Sequence, residues 1–154
     1  MVEATKVRQM TMRDDAEAVG SLRSRRSVVL RPEISGRITQ LNFSDGQRVR
    51  KGQLLVQLDD QLPRAQVQQS RAELSIARAN HKRNQELVAQ GFISQRSVDE
   101  SAANLEVAEA KLALAEATAQ RLRIVAPFDG IAGIRGVNVG DYLKDGADIV
   151  NVED

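Results

Sequence analysis

Side chains that could do covalent or metal chemistry are scarce in this chain: there is one histidine, His81, and no cysteine. Without Cys there is no thiol nucleophile, thiolate metal site or disulfide. A lone His argues against a Ser–His–Asp triad and against a His-based zinc site. Met10 and Met12 are soft enough to ligate a metal, but their spacing fits apolar residues of a strand better. Arg23, Arg25, Arg26 and Arg31 form a basic cluster, either a solvated connection or a contact for phosphate or lipid headgroups. The formal net charge is only +1, with 28% charged residues, so no global field points to nucleic acid or to an acidic partner. The expectation is a protein with no catalytic residues, no cofactor and no metal.

Function must then lie in shape and contact, and the shape shows itself as a repeat. Gly36, Gly46 and Gly52 recur as Gly130, Gly140 and Gly146, each pair separated by 94 residues. Val49 and Arg50 fall on Leu143 and Lys144 at that offset. Leu55 to Asp60 fall on Ile149 to Asp154, while Pro32 and Pro127 differ by one residue in register. Each half reads as short strands broken by turns: Ile34 to Leu41, a turn at Gly46, Arg48 to Val49, a turn at Gly52, then Leu54 to Leu58. Glycine supplies a positive φ at such turns. Gly36 and Gly130 sit inside strand-like runs, where a bulge or a close backbone approach is the usual cause. Each half is roughly 30 residues, below the ~40 at which isolated domains usually need help to fold. Two halves that interlock would share one core, in residues 28–60 and 122–154.

Residues 61–121 have another texture, with one Gly (Gly91) and one Pro (Pro63). Asp60 is a candidate N-cap, and Pro63 falls in the first helical turn. The first helix is predicted to end near Gln90 with Gly91 as its C′ residue, and Ser94 to cap a second that runs to about Arg121. A three-residue linker makes them antiparallel. The predicted seam comprises Leu62, Ala65, Ala72, Ile76, Ala79 and Leu87 on the first helix. On the second it comprises Val98, Ala102, Leu105, Ala108, Leu112, Ala115, Ala119 and Leu122. Stripes this narrow describe a coiled coil. Register is expected to place Arg78 near Glu106, and Arg71 and Arg64 near Glu109 or Glu116. The composition fits slender elements, with 42% hydrophobic but only 3% aromatic residues. The fold class is therefore α+β: a split biotinyl/lipoyl-like β-sandwich, or flattened barrel, with an inserted α-helical hairpin. Within residues 1–27, Val2 to Met12 show partial alternation, consistent with a strand. No stretch approaches the ~20 apolar residues of a membrane span, and Met1 is not followed by a secretory h-region.

This order resembles the periplasmic adaptor (membrane fusion) proteins of bacterial tripartite efflux pumps, especially those serving resistance-nodulation-division transporters. The stretches Pro32–Ile38 and Asp45–Leu55 are similar to the family's first lipoyl half, and Ile124–Gly130 is similar to the start of its second. The N-terminal strand and Gly20 resemble the passage from the family's adjacent β-barrel, so residues 1–27 are expected to be part of an incomplete barrel. The chain itself looks like a fragment, since family members usually continue past the second half and carry a membrane anchor. Arg83, Leu87 and Ser94, with Asp99 following, resemble the family's hairpin-tip motif. The resemblance implies that this tip docks on a TolC-type outer-membrane exit duct. It also implies an inner-membrane transporter as second partner, self-association into a ring, and a periplasmic location at the inner membrane.

Two other functions compete. One is an adaptor of an ABC-type exporter or a type I secretion system, although type I adaptors usually have longer hairpins. The other is a biotin or lipoate carrier domain, which needs an exposed Lys on a short turn between the β-halves. Here the hairpin occupies that position.

Overall fold

The computed structural model describes residues 26–154. The strand expected at Val2 to Met12 lies outside them, as do Gly20, Arg23 and Arg25 and all of the segment 1–27 but its last two residues.

Among the described residues, eight strands and two helices follow one another as β1 (Ser27–Leu30), β2 (Gly36–Leu41), β3 (Arg48–Val49), β4 (Leu54–Leu58), α1 (Gln61–Ala89), α2 (Gln95–Gln120), β5 (Arg123–Val125), β6 (Gly130–Ala132), β7 (Tyr142–Leu143) and β8 (Val150–Glu153). The strands form two antiparallel four-stranded sheets, ordered β1-β8-β6-β3 and β5-β4-β2-β7. Each sheet takes two strands from each half of the sequence. Replacing every strand by its repeat mate turns one order into the other, so the repeat is a structural two-fold. The register obeys it as well: Arg48 faces Ile131 and Val49 faces Gly130, while Tyr142 faces Arg37 and Leu143 faces Gly36.

The recurring turn glycines have two tasks. Gly46, Gly52, Gly140 and Gly146 all have positive φ, between 73° and 96°, where a Cβ would be strained. In addition, each donates its N–H across to the opposite half: Gly46 to the Ala132 carbonyl and Gly52 to that of Ala126 (both 2.8 Å), Gly140 to that of Ile38 (2.9 Å) and Gly146 to that of Pro32 (3.0 Å). These four bonds are two symmetric pairs. Symmetry lapses where chemistry requires it. Ala126 returns an N–H to the Gln53 carbonyl (3.0 Å), whereas its mate Pro32 has no N–H to give.

Gly36 and Gly130 behave differently. Strand β2 begins at Gly36, two residues after the expected start, and its register shift lies between Ile38 and Gln40. At Gly130 the cause is a close backbone approach, since a Cβ there would run into the Glu153 carbonyl oxygen. At Gly36 a Cβ would meet the Leu58 Cβ at 3.3 Å, a tight contact but well short of the overlap at Gly130. The core between the sheets is drawn from both halves, with Ile38, Val49, Leu55, Val56 and Leu58 against Ile124, Ala132, Leu143, Val150 and Val152. The hairpin leaves at the end of β4 and returns at β5. Leu58 donates its N–H to the Leu122 carbonyl (2.9 Å), which also accepts from Gln57 Nε2 (3.2 Å).

The hairpin corrects several expectations. Asp60 occupies the N-cap position of α1 without a capping bond. Instead Asp59 Oδ1 accepts from the Gln61 N–H (3.2 Å), and Asp60 pairs with Arg64 at 3.2 Å. The α1 seam was also misplaced. Leu62 and Ile76 are 69% and 63% exposed, and Ala65, Ala72 and Ala79 face solvent. The residues turned toward α2 are Val67, Ser70, Leu74, Ala77, His81, Asn84 and Val88, with Leu87 half-buried beside them. On α2 the predicted stripe is nearly right, but Ser101 is buried in place of Ala102. Between the helices Arg71 pairs with Glu116 (3.6 Å) and Lys111 with Glu73 (3.5 Å); Arg78 and Glu106 form none of the ion pairs among the described residues.

The two glycines inside strands provide a test. Gly130→Ala should destabilise the protein by about 3 kcal/mol or more, the upper end of overpacking costs, because backbone must move. Gly36→Ala should cost less, about 1 kcal/mol, because the Leu58 Cβ need give by only a few tenths of an ångström. Urea denaturation of both variants checks the order.

Candidate functional site

The exposed end of the hairpin is built by two caps. At the end of α1, Gln90 is the C-cap and Gly91, with φ of 80°, turns the chain. Gly91 donates its N–H to the Val88 carbonyl (3.0 Å) and Phe92 to the Leu87 carbonyl (2.9 Å). This is the two-bond Schellman closure, which satisfies two of the last carbonyls of the helix. Ser94 then starts α2, its hydroxyl accepting the Ser97 N–H at 3.3 Å. Both helix ends that meet at the tip thus have part of their orphan backbone groups satisfied from within the hairpin.

The three residues of the tip motif have different surroundings. Arg83 is exposed and forms none of the ion pairs found among the described residues. Leu87 lies one turn further along the same helix, half-buried, with its carbonyl engaged in the closure. Ser94 is exposed and committed to its cap. Asp99 accepts from Gln95 Nε2 at 3.1 Å on the outer face of α2. The structure therefore gathers all three motif residues towards one end of the rod, with the Arg83 guanidinium exposed, Leu87 half-buried and the Ser94 hydroxyl engaged in its cap.

Sequence reasoning passed over two features. Phe92, at the apex, is 71% exposed. The other is polar: near the tip the seam changes from aliphatic to hydrogen-bonded. His81 Nδ1 lies 3.1 Å from Ser101 Oγ, and Asn84 Nδ2 donates to the Ser97 carbonyl (3.2 Å). Because Ser101 donates its own proton to the Val98 carbonyl (2.8 Å), His81 is the donor to Ser101. The one histidine thus positions two helices. The position between the β-halves, where a carrier lysine would need a short turn, is occupied by the hairpin that joins β4 to β5. No helix among the described residues is long and apolar enough to cross a membrane.

Known proteins share this architecture. A family model described as the barrel-sandwich hybrid domain of RND membrane fusion proteins matches residues 26–153. An uncharacterized protein of Haemophilus influenzae is 36% identical over 135 residues, which cover 88% of this chain and 35% of the relative. The multidrug resistance protein MdtA of Klebsiella pneumoniae is 32% identical, covering 83% of this chain and 34% of its own. The chain thus spans about a third of the length of these curated relatives. Among solved structures, a putative efflux transporter of Bacteroides eggerthii superposes with a TM-score of 0.74 at 30% identity, covering 86% of this chain and 40% of its own. A MacA–MexA chimera carrying the Pseudomonas aeruginosa MexA α-hairpin domain reaches 0.80 at 27% identity, with coverage of 86% and 49%.

If Ser94 holds the start of α2, Ser94→Ala should cost about 1 kcal/mol, the usual value of an N-cap hydroxyl. Amide exchange should quicken at Ser97 and its neighbours while the β-domain amides stay unchanged.

Proposed function

The chain belongs to the RND membrane fusion protein family through its barrel-sandwich hybrid domain, and from that premise we propose that it is part of a non-enzymatic periplasmic adaptor. In this reading the adaptor links an inner-membrane efflux transporter to an outer-membrane exit duct of the TolC type, and the hairpin tip is the docking element. The observation that carries it is the rod itself. Helix α1, with 29 residues, extends about 43 Å at ~1.5 Å per residue. At the far end of that rod stand an exposed Arg83 and a half-buried Leu87 that the seam does not consume. The family model supports a transporter of the resistance-nodulation-division class over an ABC-type exporter or a type I system.

Self-association into a ring is also part of the proposal. Its support is the second apolar stripe on each helix, opposite the seam. On α1 it holds Leu62 and Ile76, and on α2 it holds Val107 and Leu114, which are 58% and 70% exposed. Val107 and Leu114 keep the seven-residue spacing of a coiled-coil seam, and Leu62 and Ile76 lie two such intervals apart with Gln69 between them. An α1 back laid against the α2 back of the next copy is a head-to-tail contact, the kind that closes into rings.

Guanidinium suits carbonyls or carboxylates on a channel rim because its donors are fixed in a plane. One such contact is weak, and several copies ringing one channel would add up by avidity. In the full-length protein, Arg83→Asp should abolish efflux while helicity and melting temperature stay near wild type, because Arg83 is exposed. Leu87→Asp should do the same with some loss of stability, since Leu87 is half-buried. Full efflux from both variants would place the docking surface elsewhere.

A further inference from the structure

The apex carries one large apolar side chain that neither the seam nor the caps account for. Phe92 follows the turning glycine and is 71% exposed. In a Schellman closure the residue at this position commonly packs on the helical residue whose carbonyl it binds, here Leu87. Phe92 makes the backbone bond to Leu87 at 2.9 Å, yet most of its surface stays in water. Its neighbours cannot cover it: Gly91 has no side chain, Gln90 and Ser94 are exposed, and Ile93 is half-buried. An exposed ring whose backbone N–H is held in the helix closure is partly organised in advance for contact, since some of its backbone freedom is already lost. Aromatic anchors of this kind carry a disproportionate share of interface energy.

We infer that Phe92 is the apolar anchor of the tip, seating in an apolar recess of a protein partner while Arg83 binds acceptors at its edge. The inference rests on the docking proposed above and names the chemistry of the surface met there. A lipid surface is the other place where an exposed aromatic ring settles. Charge speaks against it: across residues 82–100, Lys82, Arg83 and Arg96 are balanced by Glu86, Asp99 and Glu100. A tip of zero net charge has no attraction for anionic headgroups, whereas a mixed rim of donors around an aromatic ring matches a protein interface.

The test uses the full-length protein in cells that hold its transporter and duct, with efflux of a fluorescent substrate as readout. Phe92→Ser should lower efflux about tenfold or more, and Phe92→Leu should restore most of it. Raising the level of the duct should rescue Phe92→Ser in part, as mass action requires of an affinity defect. Melting temperature and helicity of the purified variants should equal wild type. Wild-type efflux from Phe92→Ser beside loss of efflux from Arg83→Asp would overturn the anchor and leave tip docking standing. Wild-type efflux from both would overturn the docking and the anchor with it. A melting temperature that falls in step with efflux would make Phe92 a packing residue. Sedimentation with phosphatidylethanolamine–phosphatidylglycerol vesicles that is lost in Phe92→Ser would assign the apex to lipid and overturn the inference.

Discussion

Everything else in this molecule depends on the reciprocal hydrogen bonds that the turn glycines send between the two halves of the β-domain. Gly46 and Gly52 bind carbonyls of the second half, and Gly140 and Gly146 bind carbonyls of the first. Each half is too short to bury a core alone. The four bonds arise only when strands of both halves alternate within each sheet, so folding of one half requires the other. A Cβ at these glycines would be strained by the positive φ of the turn. The repeat in the sequence is therefore the footprint of one structural demand made twice.

The same interlocking explains how a long insertion is tolerated. Strands β4 and β5 are paired neighbours, so the chain departs at Asp59 and returns at Leu122 within hydrogen-bonding reach of its own exit. Two helices side by side fit that gap, at axis separations of ~8–10 Å. Loop-closure entropy grows only logarithmically with length, so the rod can be long without unfolding its base. Its own seam is thin, with Leu74, Val98, Ser101 and Ala108 the buried residues among those described. Exposed pairs such as Arg71–Glu116 add ~0–1 kcal/mol each. Towards the tip, His81 and Asn84 replace aliphatic contacts by hydrogen bonds to α2. Such bonds specify register more than they stabilise.

The β-domain was legible because glycine is demanded by backbone geometry, which sequence spacing reports directly. The α2 stripe was legible because its seam positions are its apolar ones, apart from Ser101. On α1 the two coincide poorly. Leu62, Ala72 and Ile76 repeat at coiled-coil spacing on the back of the helix, while the seam holds Ser70, His81 and Asn84. Periodicity finds an apolar stripe but cannot say which neighbour it meets, inside the chain or outside it. Charge matching had the same limit. Arg71 finds Glu116, but Arg64 turns to Asp60, one helical turn back, and Lys111–Glu73 was not foreseen. The motif residues Arg83, Leu87 and Ser94 came from resemblance. Phe92 was missed because an aromatic residue after a C′ glycine ordinarily signals a local hydrophobic cap, and only its exposure sets it apart.

The central claim is that the β-halves form one cooperative unit that does not need the rod between them. Excision of residues 61–121, with Asp60 joined to Leu122 through a short turn, measures this directly. A single sigmoidal urea transition is expected, followed alike by circular dichroism and amide chemical shifts, with dispersed resonances from β2, β4, β6 and β8. A gradual, probe-dependent transition with collapsed amide dispersion would contradict it, because the halves would then owe their association to the hairpin rather than to each other.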